Sequence, residues 1–408
     1  YREDGGSAKE VRALAGERYR ALMTDTFREA HRVLRDDGVL TVMFTHKQQS
    51  AWADLFEALI AAGFTITATW PVQTESQHSL HQANKNAAQS TVVLVARKRA
   101  EDVGRRYYDA AMQQELRRAA REAAARFEAE GLTQVDQLVG AFGPAMEVYS
   151  RHAEVRTDTG ERVRVEDAIQ AAADAVVEWR VERLARRGLK GVDAESRFAL
   201  LCWDVLGAQE FRFNEAMLLG RSAGMDVNAL VGAGLVTKSG DKVRLLSARE
   251  RRRDRPARTQ AEQLAMLGTG RGRRNSRQVH PADEAFATAI DACHALALRY
   301  AEAGEGQAGL GAARGMALQH GWKADSACAR LMEALVLAAP PAVRFPGKKG
   351  KPTAADRLPE FRAWHAMLEP LFGLEPPEWV EGVDLQPGLW DEDADTEDEE
   401  DSEEETDD

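Results

Sequence analysis

The stretch Phe27-Arg-Glu-Ala-His-Arg-Val-Leu-Arg-Asp-Asp-Gly-Val-Leu-Thr-Val-Met-Phe-Thr45 opens the segment, running on to Arg99, that decides the fold. Arg28 to Arg35 ends a helix, and Asp36-Asp37-Gly38 supplies the turn, with the glycine expected in the left-handed conformation past the last helical turn. Val39 to Thr45 is mostly apolar and β-rich, the composition of a strand buried on both faces of a parallel sheet. Gln48 to Ala62 has Trp52, Leu55, Phe56, Leu59 and Ile60 on one helical face and Gly63 as its stop. Phe64 to Val72 and Ser90 to Lys98 are two further strands, and the polar insert between them has no helical period, so the pair predicts a long-looped hairpin. Helix, strand, helix, strand, loop, strand is an α/β pattern whose sheet ends by inserting one antiparallel strand.

Two runs of residues narrow this pattern. Phe27 to Leu40 resembles the stretch that follows the catalytic motif in amino-methylating DNA methyltransferases. Phe44-Thr-His-Lys47 is similar to one branch of that group, as is Trp70-Pro-Val-Gln-Thr-Glu-Ser-Gln-His-Ser-Leu-His-Gln-Ala-Asn-Lys-Asn-Ala-Ala-Gln-Ser-Thr91. The branch is the large adenine-specific DNA methylases that carry an N-terminal domain of unknown function and a zinc-ribbon insertion and often stand beside phage-defence genes. The likeness covers Tyr1 to Arg99, is looser over Phe142 to Leu246 and fades beyond. It implies the C-terminal half of a Rossmann-like methyltransferase sheet, S-adenosylmethionine as cofactor and double-stranded DNA as partner. Other modification or defence-system subunits are implied as further partners.

The resemblance also says what is missing. The family's Asp-Pro-Pro-Tyr motif would lie upstream of Tyr1; of the two Pro-Pro pairs present, in Ala339-Pro340-Pro341-Ala342 and Glu375-Pro376-Pro377-Glu378, neither combines the required acid or amide before it with an aromatic directly after. No glycine-rich turn joins a strand to a helix, and Gly304-Glu-Gly-Gln-Ala-Gly309 lies between helical runs. No catalytic residue is therefore assigned, and the cofactor site is expected mostly outside these residues, in a longer enzyme of which this is the C-terminal part.

At 408 residues the chain holds two to three domains' worth of sequence. No apolar run approaches the roughly 18 residues of a membrane span and the start has no signal-peptide pattern, which predicts a cytoplasmic protein. Cys202, Cys293 and Cys328 are too far apart for a zinc site or a disulfide framework. The net charge of -12 comes from Asp391–Asp408, where 14 of 18 residues are acidic; the remaining 390 carry 54 basic against 52 acidic side chains.

The sequence divides into the sheet portion at 1–102, a helical domain with a β-hairpin at 103–193, a winged-helix-like module at 194–248, a basic loop at 249–280, a helical region at 281–390 and a disordered acidic tail at 391–408. The fold class is thus α/β followed by mostly α. In the second unit Tyr107–Ala129 is an amphipathic helix, Val155–Val165 a hairpin around Asp158-Thr159-Gly160, and Val165–Arg187 a helix whose charges form a solvated face. In the third, helical runs at Phe198–Leu206, Asn214–Ala223 and Val227–Ala233 precede two strands around Ser239-Gly240-Asp241. Ala282–Ala339 reads as a helical pair split at Gly304–Gly311, with Cys293, His294 and Trp322 as core or half-buried residues, followed by a last helix over Ala354–Phe372.

Candidate DNA contacts follow from chemistry and placement. His46 and Lys47 follow the strand that leads to the cofactor side. Gln77, His78, His81, Lys85 and Asn86 of the long loop carry amide and basic groups suited to base edges and phosphates. His78 and His81 have no third ligand nearby, so no metal is assigned. On the wing, Lys238, Lys242 and Arg244 face a phosphate role or a packing role. Arg249 to Arg277 holds ten arginines against three acids, with Arg251, Arg252 and Arg253 consecutive; the density favours phosphate neutralisation over a soluble linker. Two functions remain open: an S-adenosylmethionine-dependent DNA methyltransferase, N6-adenine specific and present here as its C-terminal portion, or a non-catalytic DNA- or protein-binding subunit of a modification or defence system.

Overall fold

The computed structural model of the chain describes residues 8–46, 49–73, 90–100, 104–207, 209–254, 256, 278–340 and 354–379. Helices α1 (Ala8–Val33) and α2 (Gln49–Ala61) pack together beside a sheet of β1 (Leu40–Phe44), β2 (Phe64–Gln73) and β3 (Ser90–Lys98). The strand order is β1-β3-β2, and β3 is antiparallel to both neighbours, so β1 and β2 run parallel to each other. Arg20 clamps α1 to α2 through Asp54 and Glu57, both at 2.9 Å.

Two local expectations are corrected here. β1 is not buried on both faces: Thr41 and Met43 are exposed while Leu40, Val42 and Phe44 are half-buried. Among the described residues, helices cover one side of the sheet only. On the other side Met43, Val93 and Trp70 stand in register across the three strands, with Met43 64% and Trp70 55% exposed. Gly38 does not adopt a positive φ; a Cβ there would lie 2.7 Å from Leu34 Cγ and 2.9 Å from the Arg35 carbonyl, so close approach to the helix end, not handedness, demands glycine. On α1, Phe27 is buried and Met23 and Ala30 are half-buried, while Leu22 is exposed.

A helical layer follows, made of α3 (Ala110–Ala129), α4 (Gln134–Gly140), α5 (Phe142–Ser150) and α6 (Val165–Leu184). Asp109 and Thr133 cap α3 and α4 by accepting backbone N–H bonds from Met112 and Asp136. α5 lies against β2 so closely that a Cβ on Gly143 would sit 2.2 Å from Thr69 Cγ2. The hairpin expected after Val155 shrinks to one bridge, Arg156 to Arg162. Its first strand, β5 (Glu154–Arg156), instead pairs parallel with β4 (Arg105–Tyr107), a partner nearly fifty residues away that local alternation cannot reveal. Nor are all the charges of α6 solvated: Arg180 is buried, donates from Nε and Nη2 to the two carboxylate oxygens of Asp204, and from Nη1 to Gln137 Oε1 at 2.6 Å.

Asp204 belongs to the next unit. There α7 (Ala194–Leu201) continues as a π-helical turn, Cys202–Leu206, before β6 (Glu210–Arg212), α8 (Phe213–Ala223), α9 (Val227–Ala233), β7 (Val236–Ser239) and β8 (Lys242–Leu245). The three strands form an antiparallel sheet ordered β6-β8-β7, so the expected two-stranded wing gains a strand. Five helices complete the described chain: α10 (Ala289–Glu302), α11 (Gly306–Gln319), α12 (Ala327–Ala338), α13 (Ala354–Arg357) and α14 (Pro359–Phe372). The expected pair is a triplet because Gly321 takes φ 66° and Ser326 caps a new helix. The last helix breaks at Leu358-Pro359, where Leu358 is extended before the proline.

Asp204→Ala leaves the Arg180 guanidinium buried without its counter-ion, and a broken buried pair costs about 3–5 kcal/mol. The urea midpoint of the variant should fall accordingly, with an unchanged slope.

Candidate nucleic-acid interface

The wing turns at Gly240, whose φ of 58° suits the tight connection between β7 and β8. Its three cations are all engaged. The Lys238 ammonium lies 3.4 Å from the Phe213 ring centroid. Lys242 pairs with Glu210 on the neighbouring strand β6, and Arg244 pairs with Glu250 at 2.6 Å. Exposed pairs of this kind are worth about 0–1 kcal/mol, so a phosphate can replace the carboxylates at little cost. α9 offers less. Its exposed positions include Asn228, Ala229 and Gly232, and the Asn228 amide already donates to the N-cap Asp226 at 3.2 Å. No long side chain on that face can reach into a groove.

The basic segment is where the structure most changes the reading of the residues. Residues 247–251 form an ordered turn: Glu250 accepts from the Ser247 N–H and hydroxyl, both at 2.9 Å, and Arg251 N–H donates to Ser247 O at 3.1 Å. Arg251 is 1% exposed. It pairs with Asp291 on α10 and donates to His294 Nδ1 at 3.0 Å. Arg253 also turns inward, pairing with buried Asp283, while its N–H donates to Val279 O at 2.9 Å. Arg252 alone of the three is largely exposed, and it meets Glu302 at 2.7 Å. Arg251 and Arg253 are therefore withdrawn as phosphate ligands: they are structural cations whose carboxylate partners, some thirty to forty residues downstream, give no sign of pairing in the sequence.

His294 shows what this costs. Burial and the adjacent Arg251 guanidinium hold its imidazole well below the usual pKa, so it stays neutral and its Nδ1 lone pair accepts the arginine N–H. Its ring stacks on Trp364 at 5.8 Å. Cys293 and His294 are buried and Trp322 half-buried, as expected of core residues.

At the sheet, His46 is half-buried; its ring stacks on Phe44 at 6.1 Å and its carbonyl accepts the Trp52 indole N–H at 2.9 Å. Lys47, Gln77, His78, His81, Lys85 and Asn86 lie outside the described residues, as do the acidic tail and most of the segment after Arg253. The structure adds Arg212 and Arg221, both exposed on the wing unit, which periodicity hides because they fall at a strand end and on a helix flank. Among the described residues no group of three His, Cys, Asp or Glu side chains is placed to hold a metal, and no helix is long and apolar enough to cross a membrane.

Residues 193–266 match the family described as Domain of unknown function (DUF8807). The match starts at the N-cap of α7, takes in the whole wing and runs on into the basic segment. No curated protein and no solved structure matches the chain.

The depressed pKa of His294 has a signed consequence. Stability is full above the unfolded pKa of about 6.5 and is lost as pH falls, because only the unfolded state takes up the proton readily. Urea titrations from about pH 7.5 to about pH 5 should show a decline of up to about 1.4 kcal/mol per pH unit, and His294→Gln should flatten it.

Proposed function

We propose that the chain is the C-terminal portion of an S-adenosylmethionine-dependent DNA methyltransferase acting on the N6 amine of adenine, in the cytoplasm, with double-stranded DNA as its partner. One observation carries the reading: an antiparallel strand, β3, stands between parallel β1 and β2, while β1 has no partner on its outer edge among the described residues. In Rossmann-like methyltransferases this arrangement is one end of a larger α/β sheet. Its uncovered face, with Met43, Trp70 and Val72 exposed, is the surface that further strands and helices of a Rossmann-like domain would cover. The sequence of 27–40 and of 70–91 supports the family.

In this reading the methyl donor and the residues gripping the amine belong to the remainder of the sheet. The 194–248 unit is a winged helix that rests on the DNA backbone through Lys238, Lys242 and Arg244, positioning the duplex without reading it. The small, uncharged face of α9 fits that division of labour. The same face favours a second reading, in which the wing contacts a protein and the chain is a non-catalytic subunit of a modification or defence system.

Two measurements test this. The isolated chain should transfer no methyl group from S-adenosylmethionine to duplex DNA; activity would place the catalytic and cofactor sites within these residues. Lys238→Glu with Lys242→Glu should weaken non-specific duplex binding and lower the log-log salt slope by about two, since each phosphate contact contributes about 0.9. An unchanged slope would favour the protein-contact reading.

A further inference from the structure

A cavity of about 390 Å³ lies between the helical layer and the wing unit. α4 lines it with Val135, Leu138 and Val139, at i, i+3 and i+4 of one face, and α8 faces them with Phe213, Met217 and Leu218. The π-helical turn closes it with Val205 and Leu206, next to the Asp204 that Arg180 holds from behind. π turns recur at functional sites, and this one is stiffened by a buried ion pair.

Its polar lining groups come from two helices. Gln49 and Ser50 begin α2 just beyond the carboxyl end of β1, and Asn214, Glu215 and Arg221 come from α8. At the far end of β2, which runs parallel to β1, Pro71 approaches Gly140 at the end of α4. The cavity therefore opens outside the carboxyl ends of two parallel strands, where α/β sheets bind their ligands. Asn214 and Arg221 are exposed, and neither side chain bonds to another described residue.

The lining selects a class of ligand. Aliphatic walls exclude a buried charge, and Phe213 brings an aromatic ring to the lining, with the Lys238 ammonium 3.4 Å from its centroid. Gln49 and Asn214 bring two amides to the lining, groups able to accept from N6 and donate to N7 of an adenine. Arg221 stands eight residues along α8 from Phe213, about 12 Å by helical rise, within the span of a nucleoside plus an extended arginine. Glu215, whose carboxylate accepts the Arg212 N–H at 2.8 Å, lies at the Phe213 end, away from any phosphate on Arg221. A fatty acid would use the walls but leave both amides unmatched.

We infer that this cavity binds an adenine nucleotide, base inward against Phe213 and phosphate outward on Arg221. The assignment stands on the cavity and its rim, apart from the methyltransferase reading. Free AMP and an unpaired adenosine in a DNA strand present the same chemistry, and the test separates them. The full chain is titrated with AMP, adenosine and CMP by calorimetry, and with a short duplex carrying one bulged adenosine beside its fully paired counterpart.

Saturable AMP binding, stronger than CMP, assigns a free nucleotide; preference for the bulged duplex without AMP binding assigns a strand adenosine. In either case Leu218→Trp, which fills the cavity, should lower affinity at least about tenfold. Arg221→Glu should weaken AMP about tenfold, the loss of one charged hydrogen bond, and leave adenosine unchanged. Because Arg221 is exposed, that variant folds even where Leu218→Trp does not. Absence of both AMP binding and bulge preference overturns the inference, as does AMP or bulged-duplex binding that Arg221→Glu leaves intact.

Discussion

The buried pair between Arg180 and Asp204 is the constraint on which the middle of this protein depends. Arg180 comes from α6, Asp204 from the π-helical turn after α7, and Gln137, which takes a further arginine N–H, from α4. Two charges removed from water are tolerated only when each has a partner in good geometry. Shifting any of the three elements would strand one of them. The pair thus fixes how the helical layer meets the wing unit, and through Val205 and Leu206 it also fixes the floor of the cavity between them. A second buried arginine repeats the device further along, where Arg251 ties the turn after β8 to α10 through Asp291 and His294.

The sheet imposes a different constraint. Its covered side carries Phe64, Ile66, Val92, Leu94 and Ala96 at 3% exposure or less, so the register of all three strands is set by that side. The opposite side keeps Met43, Trp70 and Val72 in contact with solvent. Apolar area of that kind, beside a strand edge with no described neighbour, favours association over isolation. The methyltransferase proposal gives it an occupant within the same polypeptide fold.

Charge is read poorly from density alone. The run Arg251-Arg252-Arg253 has the composition of a phosphate-binding loop, yet two of its three members are internal struts. What separates a strut from a ligand is whether a carboxylate waits nearby in space. Asp283 and Asp291 do, and each lies 30 to 40 residues away in the chain. The wing cations have partners too, but exposed ones, which solvent screening leaves exchangeable.

The sequence by itself determined the elements whose signals are local. Helical stripes in α2 and α3, the turn at Gly240 and the inserted third strand at Ser90 to Lys98 all follow from periodicity and turn chemistry. Their placement needs only neighbours within a few residues. Tertiary structure alone decided the one-sided burial of β1, the parallel pairing of β4 with β5, the third strand of the wing, the inward turn of Arg180, Arg251 and Arg253, and the existence of the cavity. Each of these depends on which groups meet across long stretches of chain. Burial and ion pairing are properties of that meeting, and no local pattern records them.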